Sequence, residues 1–322
     1  MRPHHAVAVL VLASQLGAQQ LSPTERARID SAVNSVLTGT GAPSASIAIV
    51  RSGEMVYEQA YGNGRINPPT PATTAMRYSI GSVSKQFTAT AILLLAEDGK
   101  LSLDDRVSKW LPNLTRSSEI SIRQLLSMTA GYQDYWPQDY VFTDMLRPTT
   151  SAAIMQRWAG KPLDFDPGTK WQYSNTNYVI AGAIIERASG MPVMDFMRQR
   201  IFTPLKMTSA FDVDAAPLGP ADAGMYMRSA VGPLRVAPKE GKGWLFAAGH
   251  LGMTAHDLAI WNIAVMNRSL LKSASYKQQQ TTMLLENGIA AGYGLGVSLG
   301  APGGRKRVSH GGAVSGYTTT NE

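Results

Sequence analysis

Residues 82–85 read Ser82-Val83-Ser84-Lys85 and stand between a strand-like segment and a long apolar helix pattern. A serine followed three residues later by a lysine, in the first turn of a helix, places the hydroxyl and the amine on one face. The helix N-terminus adds positive partial charge near the serine oxygen. The pair Ser82 and Lys85 therefore predicts a serine nucleophile activated without histidine. The alternative is a capping serine beside an exposed lysine.

A second polar segment, Tyr173-Ser174-Asn175, follows Pro167-Gly168 in a predicted loop, and we expect a helix from Asn177 to Ala188. A tyrosine near a lysine ammonium can share the work of a general base. An asparagine amide can orient a substrate carbonyl or hold the lysine, or it can simply cap the helix. Tyr61-Gly62-Asn63 has the same spacing, but it ends a predicted hairpin strand.

The third segment, His310-Gly311-Gly312, follows the strand-like run 307–309. Two glycines on a strand let a substrate approach the backbone closely. The histidine can donate a hydrogen bond to a substrate or help to stabilise an oxyanion, or it can face solvent in a tight turn. His250-Leu251-Gly252 has the same pattern, but we expect it in a loop before a helix.

The three segments in this order resemble the serine β-lactamase and penicillin-binding-protein superfamily. Within it, they look like the class C β-lactamase-related esterases and D-aminopeptidases. The resemblance implies that Ser82 is acylated and that Lys85 and Tyr173 form the proton-transfer pair, with the identity of the base left open. It also implies that Asn175 contacts the amide or carbonyl oxygen of the acyl group.

The resemblance assigns the third segment to substrate binding. His310 takes the position of the lysine in the Lys-Thr-Gly motif of many β-lactamases, followed by Gly312 and Ala313. The backbone N–H groups of Ser82 and Ala313 would form the oxyanion hole. A neutral histidine should bind a β-lactam carboxylate more weakly than a lysine, which favours small esters or D-aminoacyl amides as substrates. The alternatives are a β-lactamase or D-alanyl-D-alanine carboxypeptidase, and a non-catalytic binding protein with the same fold.

Other chemistries find little support in this sequence. The Gly-x-Ser-x-Gly signature of α/β-hydrolases and the glycine-rich phosphate loops are absent. There is no cysteine, and the histidines beyond the N-terminal segment lack metal-ligand spacing, so we predict no metal and no cofactor. The net charge is +7, and the densest basic cluster, Arg305 to Arg307, is too short to indicate nucleic acid binding.

The order of the predicted elements indicates an α+β fold. We expect a strand hairpin at Ala45 to Val50 and Met55 to Tyr61, a loop from Asn63 to Thr74, and further strands only at 293–298, 307–309 and 316–320. Residues 19–80 and 286–322 would form a sheet domain, and 81–285 an inserted helical region. The resemblance to β-lactamases and transpeptidases implies that the sheet is mostly antiparallel and flanked by helices, with the catalytic cleft between the two regions.

The N-terminus reads as an export signal at residues 1–18. Arg2 precedes the apolar run Ala6 to Ala13, and Leu16-Gly17-Ala18 offers a cleavage site. The run is too short to span a bilayer, and no other stretch is long enough. We therefore predict a secreted or periplasmic protein that acts on a small ester, amide or β-lactam, and the oligomeric state stays open.

Two further expectations concern the periphery. Relatives in the resembled family continue with another strand and a helix, whereas this sequence stops at Glu322, so we expect an unpaired sheet edge and poor solubility. Four aromatic residues are candidates for a wall of the substrate pocket or for ordinary packing. They are Tyr132, Tyr135, Trp136 and Trp244.

Overall fold

A computed structural model describes residues 20–136, 143–228 and 232–322 of the chain. The predicted export signal at residues 1–18 lies outside these ranges. Within them, no helix is both long enough and apolar enough to cross a membrane.

The described residues form helices and strands that occur in blocks along the chain. The helices are α1 (Pro23–Thr40), α2 (Ser84–Glu97), α3 (Ile122–Leu126), α4 (Ser151–Ile154), α5 (Asn175–Ser189), α6 (Val193–Met197), α7 (Thr203–Leu205), α8 (Phe246–Gly249), α9 (Ala255–Asn267) and α10 (Ser273–Gln279). The strands are β1 (Ser44–Arg51), β2 (Glu54–Ile66), β3 (Pro69–Pro71), β4 (Tyr78–Ser79), β5 (Phe211–Asp212), β6 (Tyr226–Met227), β7 (Arg235–Val236), β8 (Leu251–Met253), β9 (Ser298–Gly300), β10 (Arg307–Val314) and β11 (Tyr317–Asn321).

The first sheet is the predicted hairpin with one extra strand. β1 and β2 pair antiparallel, and β3 adds to β2 through the register Arg65 to Thr70. The expectation of a loop from Asn63 to Thr74 was therefore wrong. Its Pro, Gly and Thr content marks a tight turn, but the flanking residues still pair because prolines are tolerated on an edge strand such as β3.

The helix α2 runs through the centre of the hydrophobic core. It is buried on all faces from Ser84 to Leu95. It packs against α5 and α8, and the ring of Phe87 lies 4.5 Å from that of Trp261 on α9. This packing fixes the N-terminal turn of α2, and with it the side chains that start there.

A second antiparallel sheet, in the order β11-β10-β9, carries the third predicted segment. His310 pairs with Asn321 and Ala313 with Thr318. The strand expected at 293–298 begins only at Ser298. Gly296 has φ +74° and lies so close to α2 that an added Cβ would stand 2.5 Å from the carbonyl oxygen of Lys85, so the chain bends there instead of extending.

The middle of the chain contains short strands that the sequence analysis missed. β8 lies between β4 and β5, with Tyr78 opposite Met253 and Phe211 opposite Gly252, and β6 pairs with β7. Strands of two or three residues are too short for an alternating pattern. His250 itself is the C-terminal cap of α8, whereas Leu251 and Gly252 belong to a strand, not to the predicted loop.

The sheet β1-β2-β3 and the sheet β11-β10-β9 line a common groove of about 660 Å³. β1 lines one side, β11 lines the other, and both are edge strands of their sheets. Leu258 and Asn262 of α9 lie between them, and Asn262 donates a hydrogen bond to Asn321 at 2.7 Å. β1 and β11 thus both contact α9, and they belong to different sheets.

Candidate active site

Ser82 and Lys85 are in direct contact at the start of α2. Ser82 lies in a 3-10 turn, Gly81–Val83, and Lys85 is the second residue of the helix that follows. The Nζ atom of Lys85 is 3.0 Å from Oγ of Ser82. The lysine is fully buried, while Ser82 reaches the pocket surface. The alternative of a capping serine beside an exposed lysine is therefore wrong.

The lysine is held by two further acceptors. Nζ donates to Oδ1 of Asn175 and to the carbonyl oxygen of Ala248, each at 2.7 Å. The rings of Tyr173 and Tyr178 lie 5.0 Å and 5.4 Å from Nζ. Burial lowers the pKa of Lys85 to about 7. A neutral amine that can accept the Ser82 proton is thus accessible near neutral pH.

Tyr173 and Asn175 stand at the N-terminus of α5. The phenol of Tyr173 is hydrogen-bonded to Ser82, and burial raises the pKa of Tyr173 well above its ordinary range, so the phenol stays protonated. The helix begins at Asn175 rather than at Asn177, with Ser174 as its N-cap. The Asn175 amide does not cap the helix, because it lies between Lys85 and Asp134.

His310 lies on β10 in the pocket wall and is buried. Its Nδ1 donates to the carbonyl oxygen of Gly311 at 2.5 Å, which leaves Nε2 as the acceptor for the hydroxyl of Tyr293 at 2.8 Å. Burial and the nearby Lys85 lower the pKa of His310 to about 4. The imidazole is therefore neutral at pH 7, with both nitrogens bonded inside the protein.

The turn at Ser82 and the strand β10 approach each other through two glycines. A Cβ on Gly312 would stand 2.0 Å from the carbonyl oxygen of Ile80 and 3.1 Å from the Ser82 nitrogen. A Cβ on Gly81 would stand 3.0 Å from the Ala313 nitrogen. The backbone nitrogens of Ser82 and Ala313 thus both lie where the turn contacts the strand.

The active site opens into a pocket of about 430 Å³. Of the four candidate aromatic residues, Tyr135 and Trp136 line it. Tyr132 and Trp244 do not line it and are buried in the hydrophobic core. The remaining lining residues are Ser82, Tyr173, Asn175, Leu245, Ala248, Gly249, His310 to Val314 and Thr318 to Thr320.

The two look-alike segments lie elsewhere. Tyr61 contacts Tyr57 and Asp30 between α1 and the first hairpin, and its hydroxyl is 2.7 Å from Oδ1 of Asp30. His250 is buried beneath α8 and does not line the pocket. The structure thus brings together the side chains of Ser82, Lys85, Tyr173, Asn175 and His310 and leaves both look-alikes out.

Sequence reasoning missed three contributors to the site. Asp134 accepts hydrogen bonds from Asn175, Ala248 supplies a carbonyl oxygen to Lys85, and Tyr293 bonds to His310. The only sequence signal for Tyr293 was its position between Gly292 and Gly294. A carbonyl oxygen carries no residue-type signal at all, so Ala248 could not be found from sequence.

Comparison with proteins of known sequence gives relatives over most of the chain. Penicillin-binding protein 4* of Bacillus subtilis (strain 168) is 29% identical over 289 residues, which cover 85% of this chain and 64% of that protein. A D-aminopeptidase of Brucella anthropi is 28% identical over 279 residues, which cover 85% of this chain and 52% of that protein. The chain thus spans between about half and two thirds of the length of these curated relatives.

Solved structures share the fold. A structure described as the octameric penicillin-binding protein homologue from Pyrococcus abyssi superposes with a TM-score of 0.81 at 25% identity, covering 92% of this chain and 70% of that one. The D-amino acid amidase from Ochrobactrum anthropi SV3, complexed with D-phenylalanine, gives a TM-score of 0.78 at 25% identity, covering 90% and 86%.

The family model described as Beta-lactamase matches residues 29–322, which is most of the chain and includes all three motif segments. The predicted superfamily and the predicted α+β fold of the β-lactamase and transpeptidase type are therefore confirmed. With this match over residues 29–322, and with Ser82 and Lys85 in direct contact, the chain belongs to the Beta-lactamase family.

Proposed function

We propose that the protein is a serine hydrolase that forms an acyl-enzyme at Ser82 and acts on small esters or D-aminoacyl amides. The observation that carries the proposal is the 3.0 Å contact between Oγ of Ser82 and the buried Nζ of Lys85. A buried amine beside a pocket-facing hydroxyl is the arrangement that activates a serine without histidine.

Lys85 is the base in this proposal. Its pKa of about 7 allows the neutral amine near physiological pH, whereas the pKa of Tyr173 is raised and its phenol stays protonated. Tyr173 therefore acts as a hydrogen-bond donor and proton relay. We therefore propose Lys85 as the base, where the sequence left the choice between Lys85 and Tyr173 open.

Acylation then follows from the geometry. Neutral Lys85 accepts the Ser82 proton as Oγ attacks the substrate carbonyl carbon, and the backbone N–H groups of Ser82 and Ala313 bind the oxyanion that forms. When the tetrahedral intermediate collapses, the bond to the leaving oxygen or nitrogen breaks. The proton from Lys85 passes to the leaving group, directly or through the phenol of Tyr173, and an alcohol or amine departs.

Deacylation repeats the sequence with water. Lys85, neutral again, accepts a proton from a water that attacks the acyl carbon on Ser82. Breaking of the acyl bond to Oγ returns a proton to Ser82 and releases a carboxylic acid. Lys85 and the two backbone N–H groups thus serve in both acylation and deacylation.

The neutral state of His310 supports the choice of substrate. A β-lactam or a D-alanyl-D-alanine peptide carries a carboxylate, and an uncharged imidazole with both nitrogens engaged offers it little attraction. The names of relatives and neighbours, a D-aminopeptidase and a D-amino acid amidase, support a D-aminoacyl substrate. The relation to Penicillin-binding protein 4* keeps a β-lactamase or carboxypeptidase activity as the second candidate.

We also propose export from the cytoplasm as a secreted or periplasmic enzyme, on the strength of the charged and apolar pattern of residues 1–18. The N-terminal sequence of protein isolated from a culture tests it. A mature chain that starts after the segment supports export, and an intact Met1 in the cytoplasmic fraction contradicts it.

A substrate panel tests the proposed activity. It compares a p-nitrophenyl ester, a D-aminoacyl p-nitroanilide and a chromogenic cephalosporin, each with the wild-type protein and with Ser82→Ala. We expect turnover of the ester or the anilide that Ser82→Ala abolishes, with slower turnover of the cephalosporin. Hydrolysis that is indifferent to Ser82→Ala would support a non-catalytic role for the fold, and a preference for the cephalosporin would support the second candidate.

A further inference from the structure

Asp134, in the loop after α3, accepts three N–H groups with its two carboxylate oxygens. Oδ1 accepts the backbone N–H of Asn175 at 2.9 Å and that of Trp136 at 3.2 Å. Oδ2 accepts from Nδ2 of Asn175 at 3.2 Å. These N–H donors favour the ionised, acceptor-only form of the carboxylate, against the burial that raises the pKa of Asp134.

The Asn175 amide lies between a donor and an acceptor that cannot exchange roles. On one side, Nζ of Lys85 donates to Oδ1, because the ammonium can only donate and the lone pair of the neutral amine faces Ser82 in the proposed mechanism. On the other side, the Asp134 carboxylate can only accept, and it contacts Nδ2. A flipped amide would set two donors face to face and two acceptors face to face, so Asp134 fixes the orientation of Asn175.

This orientation has a consequence for the substrate. One Nδ2 hydrogen of Asn175 is used by Asp134, and the other is left for an oxygen in the pocket that Asn175 lines. Oδ1 stays on Lys85, close to Ser82. The same locked amide therefore anchors the base and presents a donor where a substrate carbonyl would lie.

We propose that Asp134 is a positioning residue of the active site, which locks the Asn175 amide between itself and Lys85 and supplies the negative charge that faces the base. The inference rests on the proposed function, since it assigns a part to Asp134 in the activation of Ser82.

The titratable groups around Lys85 support the electrostatic half of the proposal. Tyr173 and Tyr178 lie over the ammonium, and burial raises the pKa of both. His310 on β10 has a pKa lowered to about 4. These three groups are uncharged at neutral pH. The charge of Asp134 raises the pKa of Lys85, whereas burial lowers it. Burial raises the pKa of Asp134 itself, and the hydrogen bonds from Asn175 and Trp136 oppose that effect.

The test is the pH profile of ester hydrolysis by Asp134→Asn. The substitution keeps the size of the side chain but removes the charge and sets an amide donor against Nδ2 of Asn175. We expect kcat/KM to fall by on the order of 100-fold through misplacement of the amide. We expect the pH midpoint of activity to move down by about one unit or more, since Lys85 loses its negative neighbour. A purely structural role would lower the rate without moving the midpoint.

Asp257→Asn is the matched control. Asp257 is also buried and accepts a backbone N–H and a hydroxyl, from Ser209 at 2.7 Å and 2.6 Å, but it belongs to α9 and not to the pocket. We expect this variant to keep the wild-type midpoint. A folded D134N protein with the wild-type midpoint overturns the inference, whereas a wild-type protein without Ser82-dependent turnover overturns the proposed function instead.

If D134N does not fold, the exchange D134N/N175D decides the question. It places an amide at 134 and a carboxylate at 175, so that every donor again faces an acceptor: the 134 oxygen accepts the backbone N–H groups, and its nitrogen donates to the carboxylate. A cooperative melt restored in the exchange variant supports the pairing. An exchange variant as unfolded as the single variant overturns it.

Discussion

The hydroxyl of Tyr293 donates a hydrogen bond to Nε2 of His310 at 2.8 Å in the pocket wall. The tautomer follows from the other ring nitrogen, because Nδ1 contacts the carbonyl oxygen of Gly311, which can only accept, so Nδ1 carries the proton. The sequence suggested that His310 donates to a substrate, helps to stabilise an oxyanion or faces solvent in a tight turn. In the structure both nitrogens are engaged, so the ring acts as a neutral wall held by Tyr293.

The first prediction is that His310 titrates far below an ordinary histidine. Burial and Lys85 lower its pKa to about 4, so the imidazole should stay neutral from pH 8 down to about pH 5. Nitrogen-15 NMR on the histidine rings should show the Nδ1–H tautomer at pH 7. His310→Asn assigns the resonance by removing it. A titration midpoint of His310 near the ordinary value of about 6.5 would contradict the burial of the ring and its two hydrogen bonds.

The second prediction concerns the pH dependence of activity. Only neutral Lys85 can accept the Ser82 proton, so kcat/KM should rise by about tenfold per pH unit below the midpoint and level off above it. The pKa of Lys85 places the midpoint at about 7. Stopped-flow ester hydrolysis between pH 5 and pH 10 measures it. A midpoint near 10, the range of an exposed lysine, would show that Lys85 is not buried as described.

The third prediction concerns the activity of alanine variants at two adjacent glycines of β10, Gly311 and Gly312. In Gly312→Ala, the new Cβ would stand 2.0 Å from the carbonyl oxygen of Ile80, so β10 must move away from the turn at Ser82 and the oxyanion site must open. We expect a loss of activity on the order of 100-fold or more. In Gly311→Ala, the nearest atom is the carbonyl oxygen of Thr319 at 3.9 Å, so that variant should stay close to wild type. Equal losses of activity in Gly312→Ala and Gly311→Ala would contradict this prediction.

The fourth prediction concerns the groove between β1 and β11. Two edge strands that face one groove expose backbone hydrogen-bonding groups and favour self-association. We expect the 322-residue chain to be poorly soluble or weakly stable. Light scattering after size-exclusion chromatography and a thermal melt check this. A monomer that melts cooperatively well above room temperature would argue against it.

The parts of the site that were predictable from sequence are local. Ser82 and Lys85 share one helical turn, so their spacing alone predicts the contact. The strand that carries His310 was likewise visible, because the alternation before it and the glycines after it are local signals. The order of the three segments then indicated the family, which the comparisons confirm.

The contacts that escaped prediction join distant parts of the chain. Asp134 and Asn175 are 41 residues apart, and Lys85 and Ala248 are 163 apart. They come together because α2, α5 and α8 pack on one another and the loop after α3 lies against the start of α5. The strand missed at β8 is too short to show a period, and the bend at Gly296 is imposed by its contact with α2. Local patterns carry no information on such tertiary constraints.

Covalent labelling of Ser82 tests the central claim most directly. The protein is treated with a serine-reactive phosphonate at pH 8, and the intact mass and the modified peptide are determined by mass spectrometry, with Ser82→Ala and Lys85→Met as comparisons. We expect one adduct, on Ser82, which is absent in Ser82→Ala and forms about 100-fold or more slowly in Lys85→Met. A folded wild-type protein that gains no adduct, or an adduct that persists in Ser82→Ala, would contradict the account.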